Sequence, residues 1–190
     1  VVINGKACIV GTNVFSSLYD YEVPEGVTTL NIFSGKYASE YNTTTDVSVI
    51  KEGITTVNAI GTVTVNVGSL VFETETAGEI NINGTFQTTD PADWDQALNS
   101  VAYYNGVIQF KGGEETIFNI NGDFYPAEGV TFIGKQAIIS KDSSFTINEK
   151  NCGQFVIYCD VVNYGTMEVK LGAKKQSSNV PIDRGGVLTL

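Results

Sequence analysis

The chain has 190 residues, a formal net charge of −10 and no histidine. That length suits one domain with a core of its own, and 42% hydrophobic residues exclude a disordered chain. The acidic balance disfavours nucleic acid and anionic membrane surfaces, and no apolar run is long enough to cross a bilayer.

Val1–Val10 alternates as a strand does, and no signal peptide is read there. EGVTTLNI at 25–32 returns as EGITTVNAI at 52–60, and more weakly as EGVTFIGKQ at 128–136. Thr62–Val67 reads TVTVNV, strict alternation with Val63, Val65 and Val67 on one face. Strands are expected next at Ser69–Glu73 and Glu79–Asn83. ININGTF at 80–86 returns as FNINGDF at 118–124. Repeats of short strands point to stacked coils, in which each rung buries its inner face only against its neighbours. Inner positions are then Val, Ile, Leu and Phe, and turns carry Asn and Gly in left-handed conformations.

Asp90–Gly106 breaks the strand rhythm. Asp90 is a good N-cap, with Pro91 at the first helical position. Trp94, Ala97, Leu98 and Val101 form one apolar stripe, and Asn105–Gly106 supplies a stop. One short amphipathic helix is expected here, packed on the β core. Further strands follow at Thr116–Ile120, Val130–Ile133, Ala137–Ser140, Ser144–Asn148, Phe155–Cys159 and Thr166–Val169. Residues 176–190 lose the rhythm and read as an extended arm able to add a strand to its own domain or to a neighbour's sheet.

The predicted fold is all-β: a parallel, right-handed β-helix or solenoid with one short amphipathic helix. A β-sandwich or jelly roll is the alternative, with Asn83–Gly84 and Asn121–Gly122 as hairpin turns. One domain over 1–175 divides into an N-terminal β part (1–89), the helix (90–106) and β-helix coils (107–175), before the arm (176–190).

DPADWDQALNSV from Asp90, NGVIQF from Asn105 and TIFNINGDFYPAEGVTFIGKQAIIS from Thr116 together resemble the opening of pectate-lyase-like, single-stranded right-handed β-helix proteins. That superfamily includes polysaccharide lyases, glycosidases and phage tailspikes. The resemblance covers residues 90–140 and implies coil geometry more than activity. In the family the helix usually opens the domain, whereas some 90 residues precede it here.

Without histidine there is no Ser-His-Asp triad, Cys-His dyad or imidazole metal site. No phosphate loop and no CxxC pair occur. No catalytic residue, metal site or cofactor is assigned. Carboxylates are the remaining catalytic candidates, since glycoside hydrolysis needs two of them across a groove. Asp93 and Asp95 read as helix N-terminal charge, Glu114 and Glu115 as a loop tip, and Asp123 and Glu128 as turn chemistry. Cys8, Cys152 and Cys159 read as buried thiols, although a Cys152–Cys159 bridge is open. Among the tyrosines at 37, 41, 103, 104, 125, 158 and 164, the binding candidates are Tyr103, Tyr104 and Tyr125, for stacking on a surface glycan or anchoring a protein interface. Asn42-Thr-Thr and Asn83-Gly-Thr match the glycosylation sequon.

The expected function is non-enzymatic: a phage virion component (decoration, fibre or tail protein) acting as a β-solenoid scaffold. Its partners would be further copies of itself or a larger protein assembly, with no nucleic acid and no membrane insertion. The expected setting is a virion or the extracellular surface. Alternatives are a bacterial cell-surface adhesin or glycan-binding module, and a polysaccharide lyase or hydrolase.

Overall fold

A computed structural model describes residues 2–3, 6–9, 25–38, 46–48, 53–74, 78–87, 105–125, 128–149, 155–171 and 187–189. All regular structure in these residues is β. In chain order the strands are β1 (Val2–Ile3), β2 (Lys6–Ile9), β3 (Thr29–Ala38), β4 (Asp46–Ser48), β5 (Thr56–Thr74), β6 (Gly78–Gln87) and β7 (Asn105–Gly112). There follow β8 (Thr116–Asn121), β9 (Asp123–Tyr125), β10 (Glu128–Ile139), β11 (Ser144–Glu149), β12 (Phe155–Asn163), β13 (Thr166–Leu171) and β14 (Val187–Thr189).

They form one hydrogen-bonded sheet system, and its pairing is mostly parallel. Among the described strands, only β1–β2 and β13–β14 are antiparallel. Parallel neighbours cannot be joined by a tight hairpin. The antiparallel sandwich expected as the alternative is therefore not what these strands build. Asn83–Gly84 lies inside the continuous strand β6 and makes no hairpin turn.

Three columns of in-register residues run through the sheet. In the first, Leu30 pairs with Val57, Val57 with Ile82, Ile82 with Ile120, and Ile120 with Ile139. In the second, Val63 pairs with Phe86, Phe86 with Phe124, Phe124 with Phe145, and Phe145 with Met167. In the third, Phe72 pairs with Phe110, Phe110 with Phe132, and Phe132 with Ile157. A single strand can serve several columns: β5, 19 residues long, runs through all three. Sequence alternation therefore reads as separate strands what the backbone makes continuous, with left-handed glycines such as Gly61 (φ 82°) inside the run.

The first two repeats are physically stacked. Residues 29–32 lie in register on 56–59, and 80–83 on 118–121. The weaker third copy does not join them. Glu128–Ile133 belongs to the third column, where it pairs with β7 and β12.

The core is what the inward positions supply. Leu30, Val57, Ile82, Ile120, Ile139, Phe72, Phe86, Phe110, Phe124 and Phe145 are fully buried. Phe72, Phe110 and Phe132 stack with ring centroids 5.1 and 4.7 Å apart. Phe86, Phe124 and Phe145 stack at 5.3 and 5.9 Å. Each buried ring contributes about 1.5–3 kcal/mol by leaving water, and each ring pair adds about 0.5–1.5 kcal/mol.

Left-handed backbone occurs at Gly26, Gly53, Gly61, Gly78 and Gly84, and at one described non-glycine residue, Asp142. Asn83 and Asn121, read as hairpin turns only in the sandwich alternative, do not adopt it; their amides do other work, described below. A Cβ at Gly84 (φ 97°) would lie 2.6 Å from the Ala59 carbonyl oxygen, and one at Gly122 would overlap the Gly84 carbonyl. Glycine is required there by the closeness of successive backbones.

The helix expected at Asp90–Gly106 lies outside the described residues up to 104. Asn105 and Gly106, its expected stop, open strand β7 instead. Of the arm at 176–190, residues 187–189 form β14, which adds an antiparallel strand to β13 of the same chain through the Val169–Leu188 pair.

Candidate functional site

Strand alternation puts every second side chain on the outer surface. In the first column the outer row at one level is Asn31, Asn58, Asn83 and Asn121. Asn58 Nδ2 donates to Asn31 Oδ1 at 2.9 Å, Asn83 Nδ2 to Asn58 Oδ1 at 2.7 Å, and Asn121 Nδ2 to Asn83 Oδ1 at 2.8 Å. Ser140 Oγ donates to Asn121 Oδ1 and closes the row. The amides of Asn58, Asn83 and Asn121 each point the donor toward the preceding asparagine, so the ladder has a direction. Beside it, Asn119 Nδ2 reaches Asn81 Oδ1 and Glu79 Oε2, both at 3.2 Å. These are side-chain ladders of the sort that stacked in-register strands make. Asn83 of the Asn83-Gly-Thr sequon is half-buried and held in this row. Asn42 lies outside the described residues.

The second column has a polar outer row at Thr64, Gln87 and Tyr125, in register. Gln87 Nε2 donates to Thr64 Oγ1 at 3.0 Å, and both residues are buried. Tyr125 is half-buried beside them.

On the third column the outer row is Glu73, Lys111, Ile133 and Tyr158, in successive register. At one end of this row Ile133 and Tyr158 set two exposed apolar side chains side by side. Ile133 is 38% exposed and Tyr158 70%. Ile157, in register with the core residue Phe132, is also 38% exposed. A broad phenol face flanked by an isoleucine can stack on the apolar face of a sugar ring or anchor a protein partner. Tyr164, in the turn after β12, is exposed as well.

The residues singled out from sequence fare unequally. Tyr103 and Tyr104 lie outside the described residues. Tyr125 belongs to the covered row of the second column, away from the exposed strip. Alternation alone did not separate Tyr158 from the other tyrosines; its register partner Ile133, 25 residues earlier in the chain, is what makes the strip.

Among the carboxylate candidates, Asp93 and Asp95 are outside the described residues. Asp123 accepts a hydrogen bond from Ser144 Oγ at 2.6 Å. Glu115 pairs with Lys135 at 2.6 Å on an exposed turn, next to exposed Glu114. Glu128 sits in β10 opposite Val107. Among the described residues no group of three or more acidic or thiol side chains is arranged to hold a metal ion, and no helix is long and apolar enough to cross a membrane. Cys159 is a free, half-buried thiol, pushed above its ordinary pKa chiefly by burial, against a backbone hydrogen bond from Ala137 that lowers it. Cys152, its expected bridge partner, lies outside the described residues.

No family model, no curated protein and no solved structure matches the chain.

Proposed function

We propose that the chain is a non-enzymatic structural and interaction protein, wound as a right-handed parallel β-helix and serving as a phage virion component: a decoration, fibre or tail protein. The observation that carries the reading is the three-column register. Successive residues of each column come from successive passes of the chain, as a coil requires, and parallel crossovers are right-handed in nearly all proteins. Such a stack holds itself together rung by rung and suits a rigid part better than a hinged catalyst. The likeness of residues 90–140 to pectate-lyase-like β-helix proteins supports the coil but carries no activity with it.

Two of the described acidic candidates support the non-enzymatic reading through their partners. Asp123 is tied to Ser144, and Glu115 to Lys135. A glycosidase would instead set two carboxyl groups facing one another across a groove.

The Ile133–Tyr158 strip is the surface proposed to meet a neighbouring copy within the assembly. Light scattering after size-exclusion chromatography tests this. An oligomer that Tyr158→Ser shifts toward monomer, at unchanged melting temperature, is the expected result. A strictly monomeric protein at high concentration counts against it. Turnover of acidic or neutral polysaccharides that is abolished by an Asp or Glu substitution would replace the reading with an enzyme. Capsid and tail genes beside its own are expected; a secretion or sorting signal in the full gene would point to a cell-surface adhesin.

A further inference from the structure

The sequence contains four Asn-Gly pairs, at 4–5, 83–84, 105–106 and 121–122. Asn-Gly is the dipeptide most prone to deamidation, because glycine leaves the following backbone nitrogen unshielded. In the reaction that nitrogen, having lost its proton, attacks the asparagine Cγ. The new C–N bond closes a five-membered succinimide, and Nδ2 leaves as ammonia. Water then opens the ring at either carbonyl, giving aspartate or isoaspartate.

Two of these asparagines are ladder members. Asn83 is held at both ends: its Nδ2 donates to Asn58 and its Oδ1 accepts from Asn121. Asn121 is held likewise, between Asn83 and Ser140. Both sit in strands, β6 and β8. A strand side chain stands out from the sheet, away from the path by which its Cγ would meet the next nitrogen.

We infer that Asn83 and Asn121 are latent modification sites, kept inert by the amide ladder and converted when their rungs part. Conversion also bars the way back. Aspartate at 83 has no N–H, so an acceptor would face the acceptor Asn58 Oδ1 where a 2.7 Å hydrogen bond stood. Isoaspartate adds a backbone methylene as well and puts the following residues out of register. Unfolding at these rungs thus becomes irreversible in those molecules that stay open long enough to convert, and the altered residues keep a record of it.

The test compares folded protein with protein unfolded in guanidinium, both at mildly alkaline pH, by mass mapping of peptides with aspartyl and isoaspartyl products separated. In the unfolded chain all four pairs should convert at comparable rates. In the folded protein Asn83 and Asn121 should convert at least about tenfold more slowly than in the unfolded chain, as expected where reaction waits on local opening. Equal rates in the two states would overturn the inference. Ser140→Ala, which frees Asn121 Oδ1, should speed conversion at Asn121 relative to Asn83 in the folded protein; an unchanged ratio would show that the strand alone protects. When denaturant is removed, molecules converted at 83 should be depleted from the refolded fraction. Their full recovery, with unaltered melting, would sink the second half of the claim. The comparison of wild-type folded and unfolded states stands whether or not Ser140→Ala folds.

Discussion

The Phe110 ring lies nearly parallel to that of Phe132, 9° between planes and 4.7 Å between centroids. Phe110 also stacks on Phe72, so it is the middle of a three-ring pile. It further meets Phe118, Phe124 and Phe145, which places it where the columns converge. Phe110→Ala should cost about 3–5 kcal/mol, from lost transfer energy and an unfilled cavity. Phe110→Leu should cost clearly less. Denaturant titration checks both; equal losses would mean that the pile collapses around any change.

The ladder's direction gives a second prediction. Asn58→Asp removes the donor to Asn31 and sets two oxygens face to face, while leaving the acceptor for Asn83 in place. A loss of about 1–3 kcal/mol is expected from the unmet group. Protonating the new carboxyl restores an O–H donor, so the loss should shrink as pH falls below the carboxylate range. A penalty that does not change with pH would remove the acceptor clash as its cause.

Gly122→Ala should be among the most damaging small substitutions. The added methyl meets the Gly84 carbonyl, which as backbone cannot swing aside. Thermal melting should fall well beyond the effect of Gly26→Ala, where no atom lies within 4 Å of the added methyl. Both glycines bear on turns or corners, but only Gly26 has a positive φ (79°), so strain alone would rank them the other way.

Cys159 offers a pH-dependent readout. Burial raises its folded-state pKa above the ordinary thiol value of 9.0. The neutral thiol is therefore favoured in the fold. Its contribution to stability is complete below the unfolded pKa and is lost as pH rises from there through the folded value. Alkylation at pH 8 should be slow in the native protein and fast after unfolding, since the thiolate is the nucleophile. Wild-type stability should decline above about pH 9 more than that of Cys159→Ala.

Much of the stacking was legible because repeated words in the chain became neighbours in space. EGVTTLNI and EGITTVNAI align Leu30 on Val57 and Asn31 on Asn58, and ININGTF sets Phe86 below Phe124 of FNINGDF. The hydrophobic period showed which residues turn inward, but it could not show where one strand bends and continues. Val63, Val65 and Val67 looked like a strand of their own, yet they are the middle of β5. The asparagines were misread for a related reason. Asn-Gly is a turn signal in local terms, and only contact with rungs 25 and 38 residues away turns Asn83 into a hydrogen-bonding partner on both sides. Tyr158 was hidden in the same way, since its exposed strip exists only through the register of β10 on β12.

The spacing between successive ladder asparagines is 27, 25 and then 38 residues, and the hydrogen bonds across these steps measure 2.9, 2.7 and 2.8 Å. One hydrogen-bond geometry is thus shared by ladder steps that differ in chain separation by 13 residues (38 less 25).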